Sequence, residues 1–381
     1  MDFDLSEDQR MLQDGVERLL AEQYSFEQRK TVLGSPLGYS EAMWRRYAEL
    51  GLLALPFSET DGGLGGGAVD TMLVMEMFGR HLVLEPFLAT VILGGGCLRH
   101  GGSAEQRRSV LPELLSGQRT LALAHVERAA RYELAHIATR ARRAGTDWVL
   151  DGAKAVVLGG DSARLLVVSA RDTGEVASED GIGLYLVDSA AHGVTRRGYP
   201  TQDGTRAADI QLDDVRVSGD CRLAAPRGAL PVLRRVIDEA LAALCAEAVG
   251  VMTRAHEQTV EYLKQRRQFG VVIGSFQALQ HRAVDMLVMI EQARSMMLYA
   301  TMMVDTDDAA ARGRAVSAAK VQIGRSGKFV GEQAVQLHGG LGVTEECQVG
   351  HYYRRLTMIE ILFGDSAHHL AVLARAGGLP E

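Results

Sequence analysis

Apolar residues recur three and four apart at both ends of the chain, while a stretch in the middle alternates and breaks into short runs. Near the start, Met11, Val16, Leu19 and Leu20 fall on one helical face, and Ser6 followed by Glu7, Asp8 and Gln9 supplies a capped helix start. The same logic places a second helix over residues 39–52. Thr60-Asp-Gly-Gly-Leu-Gly-Gly-Gly67 then interrupts the pattern; it lacks a preceding strand and the Lys-Ser/Thr of a phosphate loop, so it reads as a flexible turn before a helix from Val69. Gly94-Gly95-Gly96 reads as the same kind of turn. Residues 1–117 are therefore expected to form an N-terminal helical domain.

Between residues 118 and 222 the pattern becomes that of strands. Asp151-Gly152 between two β-favouring runs, Trp148–Leu150 and Ala153–Val157, predicts a hairpin turn, and Leu165–Val168, Gly183–Val187 and Asp209–Asp213 continue as short strands. A small antiparallel β-domain follows from these. Arg140, Arg142 and Arg143, like Arg196 and Arg197, read as solvated loop charges, with an approach to a nucleotide phosphate as the alternative.

From Pro226 the helical period returns. Leu233, Val236, Ile237, Ala240, Leu244 and Ala248 make one buried stripe on a helix ending near Arg266, and Phe276, Leu279, Ala283, Met286 and Ile290 make another. The methionines at 286, 289, 296, 297, 302 and 303 read as core filler. Helices over 310–337 and 365–376 complete a four-helix bundle within residues 223–381. The fold class expected is α+β, mostly α, in three consecutive domains.

Composition narrows the function classes. The 381 residues carry a net charge of −7, which argues against a general nucleic-acid binder, so an anionic ligand must meet local cations. Cys97, Cys221, Cys245 and Cys347 are scattered without a CxxC, which suggests neither a zinc site nor a disulfide framework and fits a reducing cytoplasm. The acidic start, Met1 to Asp8, has no apolar leader core, and no stretch holds eighteen uninterrupted apolar residues; the expectation is a soluble, cytoplasmic chain without a membrane span or metal.

The chemistry is concentrated between Tyr262 and His281, where two helical patterns meet at a turn punctuated by Gly270 and Gly274, and Arg266, Arg267 and Gln268 stand where a plain connector would be apolar. Something anionic or polar is expected to dock there. The spacing Tyr-x3-Arg-x2-Phe-Gly-x2-Ile-Gly-x-Phe-Gln-x3-His resembles the signature of the acyl-CoA dehydrogenase family. Three further stretches resemble the family in the right order: Asp2-Phe-Asp-Leu-Ser-Glu-Asp-Gln9, Leu50 to Gly63, and Gln336-Leu-His-Gly339-Gly340-Leu-Gly342. The resemblance covers nearly the whole chain.

That resemblance implies an oxidoreductase that removes hydrogens from an acyl-CoA, as in fatty acid or steroid degradation, with hydride passing to FAD. It implies that Arg266 pairs with the pyrophosphate, that Gln268 and Phe269 lie against the cofactor, and that Gln336 and the backbone at Gly339 and Gly340 touch its adenylate side. Chemically a guanidinium forks onto phosphate oxygens and glycine lets backbone N–H groups come close; the bland alternatives are a helix-end cation for Arg266 and a plain helix cap for the glycines. The same resemblance implies an electron-transfer flavoprotein as acceptor and an oligomer whose FAD is shared between subunits.

The sequence also departs from the family. The C-terminal Glu-Gly-Thr that supplies the base corresponds to Phe363-Gly364-Asp365, and the other position used by some members falls on Ala240. Glu239 is one residue off, about 100° around a helix, so it and Asp365 are substitute candidates only; a solvated or capping acid is the alternative for Glu239. Where the family holds its flavin with Trp-Ile-Thr-Asn-Gly and Thr-Glu-Pro, this chain has Val156-Val157-Leu158-Gly159-Gly160 and Val126-Glu127-Arg128. Residues offered to a neighbour's FAD are kept while those for its own flavin and base are eroded. The reading is a partner chain completing an FAD site at an interface with another subunit of the family; the alternatives are an acyl-CoA-binding scaffold without FAD, or a homomeric enzyme with an unorthodox base.

Overall fold

The computed structural model describes residues 5–225 and 228–377, so expectations that rest on residues 1–4 and on Pro226 lie outside the described residues. Helix α1 (Glu7–Gln23) starts as its sequence dictates: the Ser6 hydroxyl accepts from Gln9 N at 3.1 Å and the Gln9 side chain accepts from Ser6 N at 3.1 Å. A short helix, α2 (Phe26–Leu33), was not foreseen; its one buried residue is Arg29, so it carries no apolar stripe to read. Helix α3 (Glu41–Glu49), capped by Ser40, lies inside the expected span, and α4 (Ala68–His81) begins directly after Gly67.

Gly94-Gly95-Gly96 is not a turn. These glycines link a π-helical segment, Leu88–Gly94, to α5 (Gly95–Gly101) and are buried. A Cβ on Gly94 would stand 2.6 Å from the Leu121 Cβ, and one on Gly95 would stand 2.6 Å from Phe57 Cζ. Glycine serves close packing there, and that contact comes from residues remote in sequence. Helix α6 (Ala104–Leu115) follows, capped by Ser103.

The strands are β1 (Leu121–Ala124), β2 (Arg140–Ala144), β3 (Asp147–Leu158), β4 (Leu165–Arg171), β5 (Ile182–Asp188), β6 (Val194–Pro200) and β7 (Arg206–Val217). They form one seven-stranded sheet in the order β1-β4-β2-β3-β7-β6, with β5 also on β4. The expected antiparallel pairing needs correction on one side. Strand β1 runs parallel to β4, Leu121 opposite Leu165, and β2 meets β4 in parallel at Arg140 and Arg171. All four β1 residues are buried, the mark of a strand covered on both faces and one that alternation cannot flag.

Asp151-Gly152 is likewise not a hairpin turn. The turn falls between Ala144 and Asp147, which pair across β2 and β3, whereas Asp151-Gly152 sits inside β3 where its register against β7 shifts. The Asp151 carboxylate there accepts from Asp214 N at 2.8 Å, so the local polar signal marks a bulge.

Helix α7 (Ala229–Gln265) buries Leu233, Val236, Ile237, Ala240, Leu244 and Ala248 as expected. After it come β8 (Arg267–Gln268), β9 (Val271–Val272), α8 (Gln277–Val304), α9 (Ala309–His338), α10 (Gln348–Ile361) and α11 (Ser366–Arg375). On α8, Met286 and Ile290 are buried, but Phe276 is 39% exposed, so the stripe begins later than its spacing suggested. Met302 is also exposed, at 37%.

By compactness the chain divides into two units, residues 1–31, 67–83 and 241–381 in one and 32–66 and 84–240 in the other. In the first, α4 and α7 approach backbone to backbone: a Cβ on Gly79 would meet Glu247 O at 2.0 Å, and one on Gly250 would meet Glu76 O at 1.9 Å. Ion pairs of buried acids flank this crossing, Glu76 with Arg294 at 2.7 Å and Glu247 with Arg355 at 2.6 Å. The second unit has the sheet at its centre, packed on Leu150, Leu166, Val168, Tyr185, Ile210 and Leu212.

Candidate functional site

The elbow and the glycine turn form one cleft of about 860 Å³ in the first unit. Its first wall begins where α7 ends: Arg266 N still donates to Tyr262 O at 2.9 Å, and the Arg266 carbonyl accepts from Ile273 N at 2.9 Å, closing the β8–β9 hairpin. The tip of that hairpin is Phe269–Gly270, with φ of +53° and +78°, the left-handed pair a two-residue turn requires. Glycine adopts it freely; phenylalanine does so under strain.

The other wall is the end of α9. Gly339, at φ +61°, stops the helix, and the chain turns through Gly339–Val343. The His338 ring stacks on Tyr262 with centroids 4.4 Å apart, and its Nδ1 donates to Ala334 O at 2.8 Å. Burial holds this imidazole below its ordinary pKa, so it is neutral near pH 7.

Of the residues expected to meet a cofactor, Arg266, Gln268, Gln336, Gly339 and Gly340 all line this cleft. Phe269 does not: its ring is 89% exposed at the hairpin tip, edge-on to Phe276 at 6.2 Å. Arg282 also lines the cleft and escaped notice in the sequence, although its four-residue spacing from Ala278 places both on one helical face. No aspartate or glutamate appears among the described lining residues, and neither Arg266 nor Arg282 is ion-paired among the described residues. A Cβ on Gly340 would meet nothing within 4 Å, and its backbone is not left-handed. No described contact and no left-handed angle requires glycine there, and its bare backbone stands open on the cleft wall. Two guanidiniums without an acidic partner, amide side chains and open backbone suit a phosphate-bearing dinucleotide such as FAD.

The candidates for a base are spread elsewhere. Ala240 is a buried methyl. Phe363 has φ +58° in a turn held by the buried Lys320, whose Nζ donates to Glu360 O at 2.9 Å and to Gly364 O at 2.5 Å. Burial lowers the Lys320 pKa to about 8. Asp365 caps α11, accepting from His368 N at 2.8 Å. Glu239 is neither solvated nor a cap: its carboxylate meets Arg99 at 2.5 Å, His100 at 2.8 Å and Arg235 at 3.0 Å. Burial alone would raise its pKa, but the Arg99 charge and its neighbours outweigh that and hold it at about 2.

The positions corresponding to the family's flavin contacts lie in the second unit. Val156 has φ +50° and is 43% exposed, and the Leu158 side chain offers no hydroxyl. Glu127 is consumed internally, accepting from Lys154 Nζ at 2.7 Å, Thr139 Oγ1 at 2.7 Å and Ala138 N at 2.7 Å. A cavity of about 500 Å³ borders it, where the one Asp209 carboxylate pairs with both Arg128 at 2.9 Å and Arg197 at 3.2 Å. Arg196 is spent on the carbonyls of Gly160, Asp161 and Ala163. Among the described residues no cluster could hold a metal ion, and no helix is long and apolar enough to cross a membrane.

Comparison with known proteins agrees with the architecture. Models of the acyl-CoA dehydrogenase N-terminal, middle and C-terminal domains match residues 6–118, 122–215 and 230–378. The chain is 28% identical to the probable acyl-CoA dehydrogenase YngJ of Bacillus subtilis, covering 98% of this chain and 99% of that one. Among solved structures it is similar to a steroid ACAD variant, Tcur3481-Tcur3483, with TM-score 0.87, 29% identity and 97% of each chain covered. It is also similar to the ChsE4-ChsE5 complex from Mycobacterium tuberculosis, with TM-score 0.89, 25% identity and 100% of each chain covered.

Proposed function

Because the chain belongs to the acyl-CoA dehydrogenase family, we propose that it is a subunit of an FAD-dependent acyl-CoA dehydrogenase and the partner chain that completes an FAD site at a subunit interface. The observation that carries this reading is an imbalance within the chain. Arg266, Gln268, Gln336, Gly339 and Gly340 converge on one open cationic cleft. The positions for a base hold Ala240 and Phe363, with Glu239 locked in ion pairs and Asp365 engaged as a helix cap. FAD accepts the hydride in this family. This chain's part is to hold the pyrophosphate with Arg266, to present Gln336 and the Gly339–Gly340 backbone to the adenylate, and to offer the Phe269 ring outward.

A protein base must keep a usable proton affinity and reach the substrate. A carboxylate at about pKa 2 that is tied to three cations is a poor base, which counts against a homomeric enzyme built on Glu239. Similarity to the ChsE4-ChsE5 complex supports a hetero-oligomer, and similarity to a steroid ACAD supports a bulky acyl-CoA as the substrate of the assembly. The test is flavin absorbance and stoichiometry of the purified chain, alone and co-expressed with candidate partner subunits. Stoichiometric FAD in a mixed assembly and little in the lone chain is expected. A lone chain with a full flavin spectrum that reduces an acceptor with an acyl-CoA overturns the partner reading.

A further inference from the structure

We infer that Arg282 is a second phosphate-binding residue of the cleft, forming with Arg266 a two-point clamp for a diphosphate. The inference rests on the reading that the cleft receives FAD, and it adds a residue to it.

Arg282 projects from α8 and Arg266 from the end of α7, and both line the same cleft. One Arg282 donor is used, Nη1 to Gln333 Oε1 at 3.3 Å. Gln333 stands one turn before Gln336 on α9, so this bond holds the guanidinium on the face that Gln336 shares. A guanidinium has five N–H donors in a rigid fork, and a single long bond to a neutral amide uses one of them. A purely structural bridge between α8 and α9 needs neither the charge nor the remaining donors.

Electrostatics favours the same conclusion. Asp209 pairs with Arg128 and Arg197 beside the cavity of the second unit, whereas Arg266 and Arg282 face each other's cleft with no acid among the described lining residues. Two like charges in one concavity repel until an anion arrives. A monophosphate can satisfy one fork; a diphosphate presents oxygens to both. The cleft volume of about 860 Å³ lies within the range of ligand sites and leaves room for the nucleoside beside Gly339 and Gly340.

The experiment is calorimetric titration of the purified full-length chain with ADP and with AMP. Wild type is expected to prefer ADP, and Arg282→Ala to weaken ADP binding about tenfold while leaving AMP nearly unchanged, the loss of one charge-assisted hydrogen-bonded contact. Arg282→Lys should restore part of the preference. Gln333→Ala, which removes only the interhelical bond, should largely preserve the ADP-to-AMP ratio. The inference is overturned if Arg282→Ala, folded as judged by circular dichroism, keeps the wild-type ratio, or if Gln333→Ala erases the ratio equally. If the wild-type chain binds no ADP while its mixed assembly retains stoichiometric FAD, this inference falls and the interface reading stands. If neither binds, both fall.

Discussion

Glu239 illustrates how a single side chain changes meaning once its surroundings are known. In the sequence it is an acid beside a position that can hold a base; in the fold it is the centre of a cluster with Arg99, His100 and Arg235. Its folded pKa of about 2 lies below the unfolded value of roughly 4.3, so it binds fewer protons when folded. Its stabilising contribution is therefore complete above about pH 4.3 and disappears as pH falls toward 2. Glu239→Gln should cost about 3 kcal/mol at neutral pH, comparable to unpairing a buried ion pair, with the gap to wild type closing near pH 2. Urea unfolding at pH 7 and pH 3 reads this directly; an equal gap at both pH values would exclude the ion-pair account. Gly340 makes the opposite case. Since a Cβ there meets nothing, Gly340→Ala should leave the melting temperature unchanged and lower the FAD content of the assembly. A variant that unfolds would instead point to a structural need for the bare backbone.

At the scale of elements, legibility followed the range of the forces involved. The Ser6 capping box and the α7 stripe are set by residues within a turn or two and were visible in the sequence, whereas the glycine stop at Gly339 was present there only as the alternative to a cofactor contact. Gly94–Gly96 and Asp151-Gly152 misled because what fixes them is distant: Leu121 and Phe57 press on the first, and the β7 register on the second. The elbow was legible from its charge and glycine pattern, but Arg282, hidden in an otherwise ordinary helix, needed its partners in space to stand out. The α4–α7 crossing was wholly unreadable, since Gly79 and Gly250 look like weak points in two helices. Gly250→Ala would drive a methyl to 1.9 Å from Glu76 O and should destabilise by about 1–3 kcal/mol or more, whereas Gly313→Ala, with nothing within 4 Å, should stabilise by up to about 1 kcal/mol. Chemical denaturation of the two variants compares them; equal effects would mean that helix propensity, not backbone contact, governs the crossing.

For the molecule as a whole, the informative fact is the contrast between its total charge and its cleft. The chain carries 48 acidic and 41 basic residues, yet the cleft beside Arg266 holds two arginines and no carboxylate among its described lining residues. A net-negative molecule repels an anionic ligand at a distance and attracts it only locally. Salt then acts in two directions: it relieves the long-range repulsion, whose reach is about 10 Å at 0.1 M, and it screens the short-range attraction. Because Arg266 and Arg282 are exposed rather than buried, the short-range contribution should dominate, and nucleotide affinity should fall several-fold between about 50 mM and 500 mM salt. Arg266→Ala should both weaken binding and flatten that dependence, because one of the two screened charges is gone. Titrations at several ionic strengths distinguish the outcomes. A dependence as steep in Arg266→Ala as in wild type would place the anion away from this cleft, and an affinity that rises with salt would mean that the overall charge, rather than the clamp, decides what the protein binds.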